Sequence, residues 1–123
     1  GRQRPGKVPD MAEEKRIVSV EELLAIPDAA DLRRTTVIDG VPVTVRALSL
    51  ADTRALVAAA TVDGKLDADL HERKTLALVM VDPGVTEEQA GALQCKRAGF
   101  VDAVLGAAWA LSAGKGQNGR RSS

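Results

Sequence analysis

The sequence predicts an α+β domain in which helix dominates: a short N-terminal helix and a β-hairpin, followed by about four helices. Three patterns predict it. β-Branched residues flank Asp39-Gly40, a pair that takes the positive φ angles of a tight hairpin turn. Several segments begin with the residue spacing of a helix capping box, and apolar residues recur at helical spacing after the hairpin.

The first helix is predicted from a capping box. Ser19 is followed three positions later by Glu22, so a hydroxyl and a carboxylate can satisfy the free amide hydrogens of a helix start. We expect a short helix that runs to Ile26. Pro27 ends it, because proline restricts the residue before it and cannot donate to the preceding turn.

The hairpin strands are predicted at residues 35–38 and 41–45. Val41, Val43 and Val45 alternate with polar residues or proline and therefore share one face of the second strand. Pro42 has no amide hydrogen for a ladder hydrogen bond. We therefore expect its amide position to face away from a partner strand, as on a sheet edge.

Four helical segments are predicted after the hairpin, each opened by a polar capping residue or closed by Gly or Pro. They cover residues 49 to about 63, 67 to about 81, 86 to about 96, and 98 to about 112. The stop signals are Asp63-Gly64, Asp82-Pro83-Gly84 and Gly114. The last helix has an apolar stripe, which consists of Val101, Val104, Leu105, Ala108 and Leu111.

Composition divides the chain into three parts. Residues 1–16 are predicted to be a disordered leader or a remnant of expression or processing, with Met11 as a candidate native start. Residues 17–113 are predicted to form a single folded α+β domain, and residues 114–123 a flexible basic tail. At 123 residues, 45% of them hydrophobic and 28% charged, the chain is sized for one globular core.

The charge distribution bears on partners and location. The chain has 17 basic and 17 acidic residues, but the two ends are basic, which leaves nine basic and fourteen acidic groups between them, a net charge of −5. An acidic body argues against specific nucleic-acid binding, which needs clustered Lys and Arg. Apolar runs such as residues 76–81 are too short to cross a membrane, and we expect no secretory leader and a cytoplasmic location.

Residues suited to catalysis are scarce, so we expect no catalytic, metal-binding or cofactor-binding residues and no enzymatic activity. The chain has one His, one Cys and no Tyr. His71-Glu72 resembles a zinc-protease motif but lacks the second His, because position 75 is Thr75. Cys95 has no partner for a disulfide or a metal knuckle.

Candidate partner-binding residues lie in the last helix and in the hairpin. The last helix has small residues that let another helix approach, namely Gly99, Ala103, Gly106, Ala107 and Ala110. Packing within the chain is the favoured interpretation, and docking of a partner is the alternative, since aromatic residues such as Phe100 and Trp109 anchor protein interfaces. The predicted partner-binding set is Phe100, Leu105, Trp109, Val41 and Val43.

The order of these motifs resembles one known family. A leading helix with residues 19–24 (SVEELL) precedes a hairpin that ends in residues 43–49 (VTVRALS). An apolar helix then meets Asp-Pro and Thr-Glu-Glu in residues 77–88, and the terminal helix ends in Leu111-Ser112 and small residues. From about Ser19 to Gly114, this order resembles the tail assembly chaperones of long-tailed bacteriophages and prophages.

The resemblance implies a function without catalytic residues. Such a chaperone binds the long tape measure protein and keeps it soluble in the host cytoplasm until tail tube subunits polymerise, and it is absent from the mature virion. The tail tube protein is a further candidate partner, and weak homo-oligomerisation through the helices is expected. A longer product of programmed frameshifting is a family trait, for which Ala113-Gly114-Lys115 is suggestive and a plain flexible terminus is an equal alternative. The competing functional hypothesis is a phage structural or adaptor module that binds protein without a chaperone role.

Overall fold

The computed structural model describes residues 18–114 and confirms the predicted α+β fold, in which helix dominates. The predicted leader and nearly all of the predicted tail lie outside these residues. In chain order the elements are α1 (Val20–Leu24), a 3₁₀ turn (Ala29–Asp31), β1 (Arg33–Ile38), β2 (Val41–Arg46), α2 (Leu50–Ala59), β3 (Thr61–Val62), β4 (Lys65–Leu66), α3 (Ala68–Val79), β5 (Met80–Asp82), α4 (Glu87–Leu93) and α5 (Ala98–Ser112).

The capping residues form the hydrogen bonds that their spacing predicts. At α1 the Glu22 amide donates to Ser19 Oγ at 3.1 Å, and the Ser19 amide donates to Glu22 Oε1 at 3.0 Å. The same reciprocal pair forms at α2 and at α4, between Ser49 and Asp52 and between Thr86 and Gln89. These helix starts are therefore where the sequence places them, although α1 and α4 end two to three residues earlier than predicted.

The hairpin is confirmed, and its second strand is the centre of a three-stranded antiparallel sheet. Asp39 and Gly40 have φ angles of 53° and 79°, as the tight turn requires. The sheet order is β1-β2-β5, so β2 as a whole is not an edge strand, although no β5 residue pairs with Pro42 itself. Proline is tolerated in this central strand because β5 pairs only with Thr44 and Val45 and does not reach Pro42.

Strand β5 replaces the end of a predicted helix. The sequence predicts helix to about residue 81, but α3 ends at Val79 and Met80 pairs with Val45 of β2. An apolar run suits a buried helix and a buried strand equally well. Pairing with β2 decides between them, because it satisfies backbone groups that would otherwise be buried at the helix end.

A second, two-residue hairpin follows α2. The helix was predicted to continue to Asp63-Gly64 but ends at Ala59. Asp63 and Gly64 have φ angles of 55° and 78° and form the turn between β3 and β4. This is the same Asp-Gly turn chemistry as in the first hairpin, and the same residues can also end a helix.

The core lies between one face of the sheet and the helices α3 and α5. Its largest fully buried side chains include Val43 and Val45 from β2, Leu76 and Val79 from α3, and Val104 from α5. Helix α5 contacts both β1 and β2, and α3 packs against α4 and α5. Within residues 18–114, no helix has both the length and the apolar character needed to cross a membrane.

Candidate partner-binding groove

An open groove of about 370 Å³ lies beside the hairpin turn, where the sheet meets α5 and the end of α4. Its lining is apolar apart from two charged residues at the rim. The lining residues are Asp39, Val41, Val43, Met80, Pro83, Val85, Leu93, Lys96 and Phe100. We refer to this feature as the groove.

Strand β2 supplies one wall. Val41 and Val43 are two residues apart and therefore point to the same face of the sheet. Val43 is 1% exposed and forms part of the floor, whereas Val41, next to the turn, is 46% exposed and lies at the rim. The turn at Asp39-Gly40 sets this register by pairing Ile38 with Val41.

The opposite wall comes from three separate elements. Met80 of β5 is buried, and Val85, Leu93 and Phe100 are half-buried against the core. Phe100 lies in the first turn of α5, which places its ring beside β2. The groove is therefore built by residues far apart in the chain, each held by its own helix or strand.

An ion pair involves Asp39, one of the lining residues of the groove. Arg97, the residue before α5, contacts the Asp39 carboxylate in the hairpin turn. Both side chains are largely exposed, so the pair is worth at most about 1 kcal/mol in solution. The ion pair connects the hairpin turn to the start of α5. The neighbouring Lys96 is the positively charged residue of the groove lining.

The groove brings together three of the five predicted partner-binding residues, Val41, Val43 and Phe100. Leu105 is half-buried against the core and is not part of the lining. Trp109, also outside the lining, is 42% exposed. Sequence reasoning missed the other apolar lining residues, because no local pattern indicates that β5, α4 and the loop between them converge on β2.

The small residues of α5 do not pack as a set within the chain. Ala103 and Gly106 are exposed, and a Cβ atom added at Gly106 would meet nothing within 4 Å. Helix α5 turns Val101, Val104 and Ala108 to the core, which directs the opposite face outward. The favoured interpretation of intramolecular packing is therefore wrong for Ala103 and Gly106, although Ala107 is half-buried.

A second apolar surface lies on α1 and the residues that flank it. None of its residues is buried. Val20, Leu23 and Leu24 are 65%, 55% and 78% exposed, and the flanking Val18 and Ile26 are also exposed. Large apolar residues that are exposed singly are ordinary, but five within nine residues form a patch of the kind that marks interaction sites.

A polar cluster at the start of α2, formed by Arg46, Ser49 and Asp52, has a structural role. Among residues 18–114, no group of three or more His, Cys, Asp or Glu side chains is placed to hold a metal ion. The pKa of Asp52 is lowered, mainly by the hydrogen bond from the Ser49 backbone amide, with further contributions from the Ser49 hydroxyl and from Arg46, against an opposing effect of burial. The Asp52 carboxylate caps α2 and forms an ion pair with Arg46 of β2, which connects the strand to the helix.

Comparisons of the chain with protein-family models, curated proteins and solved structures found no match. A functional assignment therefore rests on the groove and on the motif order in the sequence.

Proposed function

We propose that this protein is a non-enzymatic tail assembly chaperone of a long-tailed phage, and that its groove binds an amphipathic helix of the tape measure protein. The observation that supports this proposal is the groove itself, an apolar and partly open surface that contains Val41, Val43 and Phe100. Recognition of a helix by a groove uses apolar anchors at i, i+3 and i+4. Such a surface suits a partner with a long apolar stripe, as the resemblance implies.

The size of the groove predicts weak binding by each copy. Its volume of about 370 Å³ is near the lower end for a binding pocket and has room for two or three apolar side chains. Full burial of two such side chains gives about 3–6 kcal/mol. Association costs at least about 4 kcal/mol, so a single groove holds a helix only weakly.

Weak sites suit a chaperone that coats a long partner and must later leave it. When many copies bind one tape measure protein, the high effective concentration raises their overall affinity, although each single copy dissociates easily. Tail tube subunits can then replace the chaperone one copy at a time. In this proposal the protein acts in the host cytoplasm and is absent from the finished virion.

The test is co-expression with the long, heptad-rich protein encoded beside this chain's gene. Soluble partner that co-purifies with the chain is the expected result. Val41→Glu places a charge at the groove rim and should reduce the co-purified amount at least tenfold, because docking would bury that charge. Val37→Glu is the matched control, since Val37 is 68% exposed and lies on the opposite face of the same hairpin.

Two results would contradict the proposal. Equal loss of binding in both variants, with both still folded by circular dichroism, would show that the groove has no special role. Detection of the chain in purified virions would instead favour the structural or adaptor alternative.

A further inference from the structure

The second hairpin has the same Asp-Gly pair as the first but very different surroundings. Strands β3 and β4 form a separate sheet of two strands, each two residues long, that is not joined to the three-stranded sheet. All residues from 61 to 69 are exposed. A hairpin this small is at best marginally stable by itself, so its turn opens more readily than elements that pack on the core.

The reactive groups of this turn are not occupied by other contacts. The register pairs Val62 with Lys65, which leaves the Gly64 amide nitrogen outside the ladder. Within residues 18–114, the Asp63 carboxylate has no hydrogen-bond or ion-pair partner. A Cβ atom added at Gly64 would meet nothing within 4 Å, so no neighbouring atom crowds the turn.

We propose that Asp63-Gly64 is a site of spontaneous covalent modification, in which Asp63 isomerises to isoaspartate. The Gly64 nitrogen attacks the side-chain carboxyl carbon of Asp63. A C–N bond forms, and the nitrogen proton leaves with the carboxyl hydroxyl as water, which gives a cyclic succinimide. Glycine favours this step because it has no Cβ to hinder approach to its nitrogen.

Hydrolysis of the succinimide completes the modification. Water adds to either carbonyl of the ring and breaks the C–N bond at that carbon. When the bond to the backbone carbonyl breaks, the chain continues through the former side chain of Asp63, and the residue is isoaspartate. The water that was lost has been added back, so the mass of the protein is unchanged.

The first hairpin protects its own Asp-Gly pair. The Asp39 carboxylate forms an ion pair with Arg97, which holds it toward the start of α5. Strands β1 and β2 pair over six residues each, and both contact α5. Attack at Gly40 therefore requires the loss of the ion pair and the opening of a longer ladder. The tertiary structure thus favours reaction at Asp63 over Asp39.

Isomerisation should change the second hairpin and leave the core intact. It adds a methylene to the backbone of the turn, so the pairing of Val62 with Lys65 should be lost. The hairpin residues are exposed, and beyond them the Asp67 amide donates to the Ala60 carbonyl at 2.8 Å, which holds the start of α3. This inference concerns the chain alone and does not depend on the proposed tape measure partner.

Peptide mapping of aged protein tests the proposal. Trypsin places the first Asp-Gly pair in residues 35–46 and the second in residues 55–65, because each segment follows an arginine and ends in arginine or lysine. The folded full chain is stored at mildly acidic pH, which favours the neutral carboxylic acid that can lose water. Isoaspartate is detected as a peptide of unchanged mass with altered chromatographic retention, and electron-transfer fragmentation locates it. We expect at least about threefold more in residues 55–65 than in residues 35–46.

Two controls separate the effect of the fold from that of the dipeptide. In protein unfolded in guanidinium chloride, both peptides should accumulate isoaspartate at similar rates. Arg97→Gln removes the ion pair and should raise isoaspartate in residues 35–46 about two- to five-fold, with residues 55–65 unchanged.

Three results would overturn the proposal. The first is equal isoaspartate in the two peptides of the folded wild type, and the second is none in residues 55–65. The third is the same difference between the peptides in the unfolded protein, because the fold would then not be its cause. An unchanged amount in residues 35–46 of a folded Arg97→Gln variant would refute the protective role of the ion pair.

Discussion

Removal of the Ser112 hydroxyl should destabilise the fold through a residue 64 positions away in sequence. The Leu48 backbone amide, which follows β2, donates to Ser112 Oγ at 2.8 Å, and the hydroxyl in turn donates to the Ala108 carbonyl at 2.6 Å. Leu48 is 6% exposed, so water cannot easily replace the serine. In Ser112→Ala the Leu48 amide is left buried without an acceptor.

The expected loss in free energy of unfolding comes from the unsatisfied Leu48 amide. A buried, unsatisfied donor costs about 1–3 kcal/mol. The higher helix propensity of alanine offsets at most about 0.5 kcal/mol. The net loss in free energy of unfolding is therefore about 0.5–2.5 kcal/mol, and a value near 1.5 kcal/mol lowers Tm by about 6–12 °C in a domain of this size.

Urea unfolding followed by far-UV circular dichroism and by Trp109 fluorescence measures this loss, and hydrogen exchange at the Leu48 amide locates it. Thr53→Ala is the control, because the Thr53 hydroxyl donates to the Leu50 carbonyl at 2.8 Å and no backbone amide depends on it. That variant should stay within about 0.5 kcal/mol of wild type. If Ser112→Ala is no less stable than Thr53→Ala, the hydrogen bond from the Leu48 amide to Ser112 does not contribute to the stability of the fold.

Two further perturbations test local features. Because the fold lowers the pKa of Asp52 from its ordinary value of 3.8, its contribution to stability is present above that value and is lost as pH falls through the folded pKa. Asp52→Asn should therefore be less stable than wild type at pH 7, and the difference in urea midpoint should shrink below about pH 4; a constant difference would contradict this role. Gly40→Ala places a side chain at φ 79° with nothing within 4 Å, so the expected cost of about 1–2 kcal/mol is purely conformational. A thermal melt unchanged from wild type would show that the hairpin turn does not need glycine.

Helix starts and the first hairpin were predictable because their chemistry is local. A capping box is satisfied within three residues, so Ser19, Ser49 and Thr86 could be identified without knowledge of their surroundings. The Asp39-Gly40 turn is equally local. The second Asp-Gly turn shows the limit of such reasoning, because a helix stop and a tight hairpin use the same residues.

The groove was predicted only in part. Val41 and Val43 could be placed on one strand face and Phe100 on the last helix, but their proximity depends on how α5 crosses the sheet. The prediction for Trp109 rests only on its aromatic side chain, and Trp109 lies outside the groove lining. Exposure of α1 could not be predicted either, since its apolar pattern is the one that usually indicates a core-facing helix.

The sequence by itself determined the α+β class, the helix starts and the first hairpin, because each depends on contacts within a few residues. Only the tertiary structure decided that Met80 leaves α3 to pair with Val45, that β2 becomes the central strand, and that several elements converge to form a groove. The physical reason is that strand pairing and burial depend on residues distant in the chain, which compete with and can override local propensity.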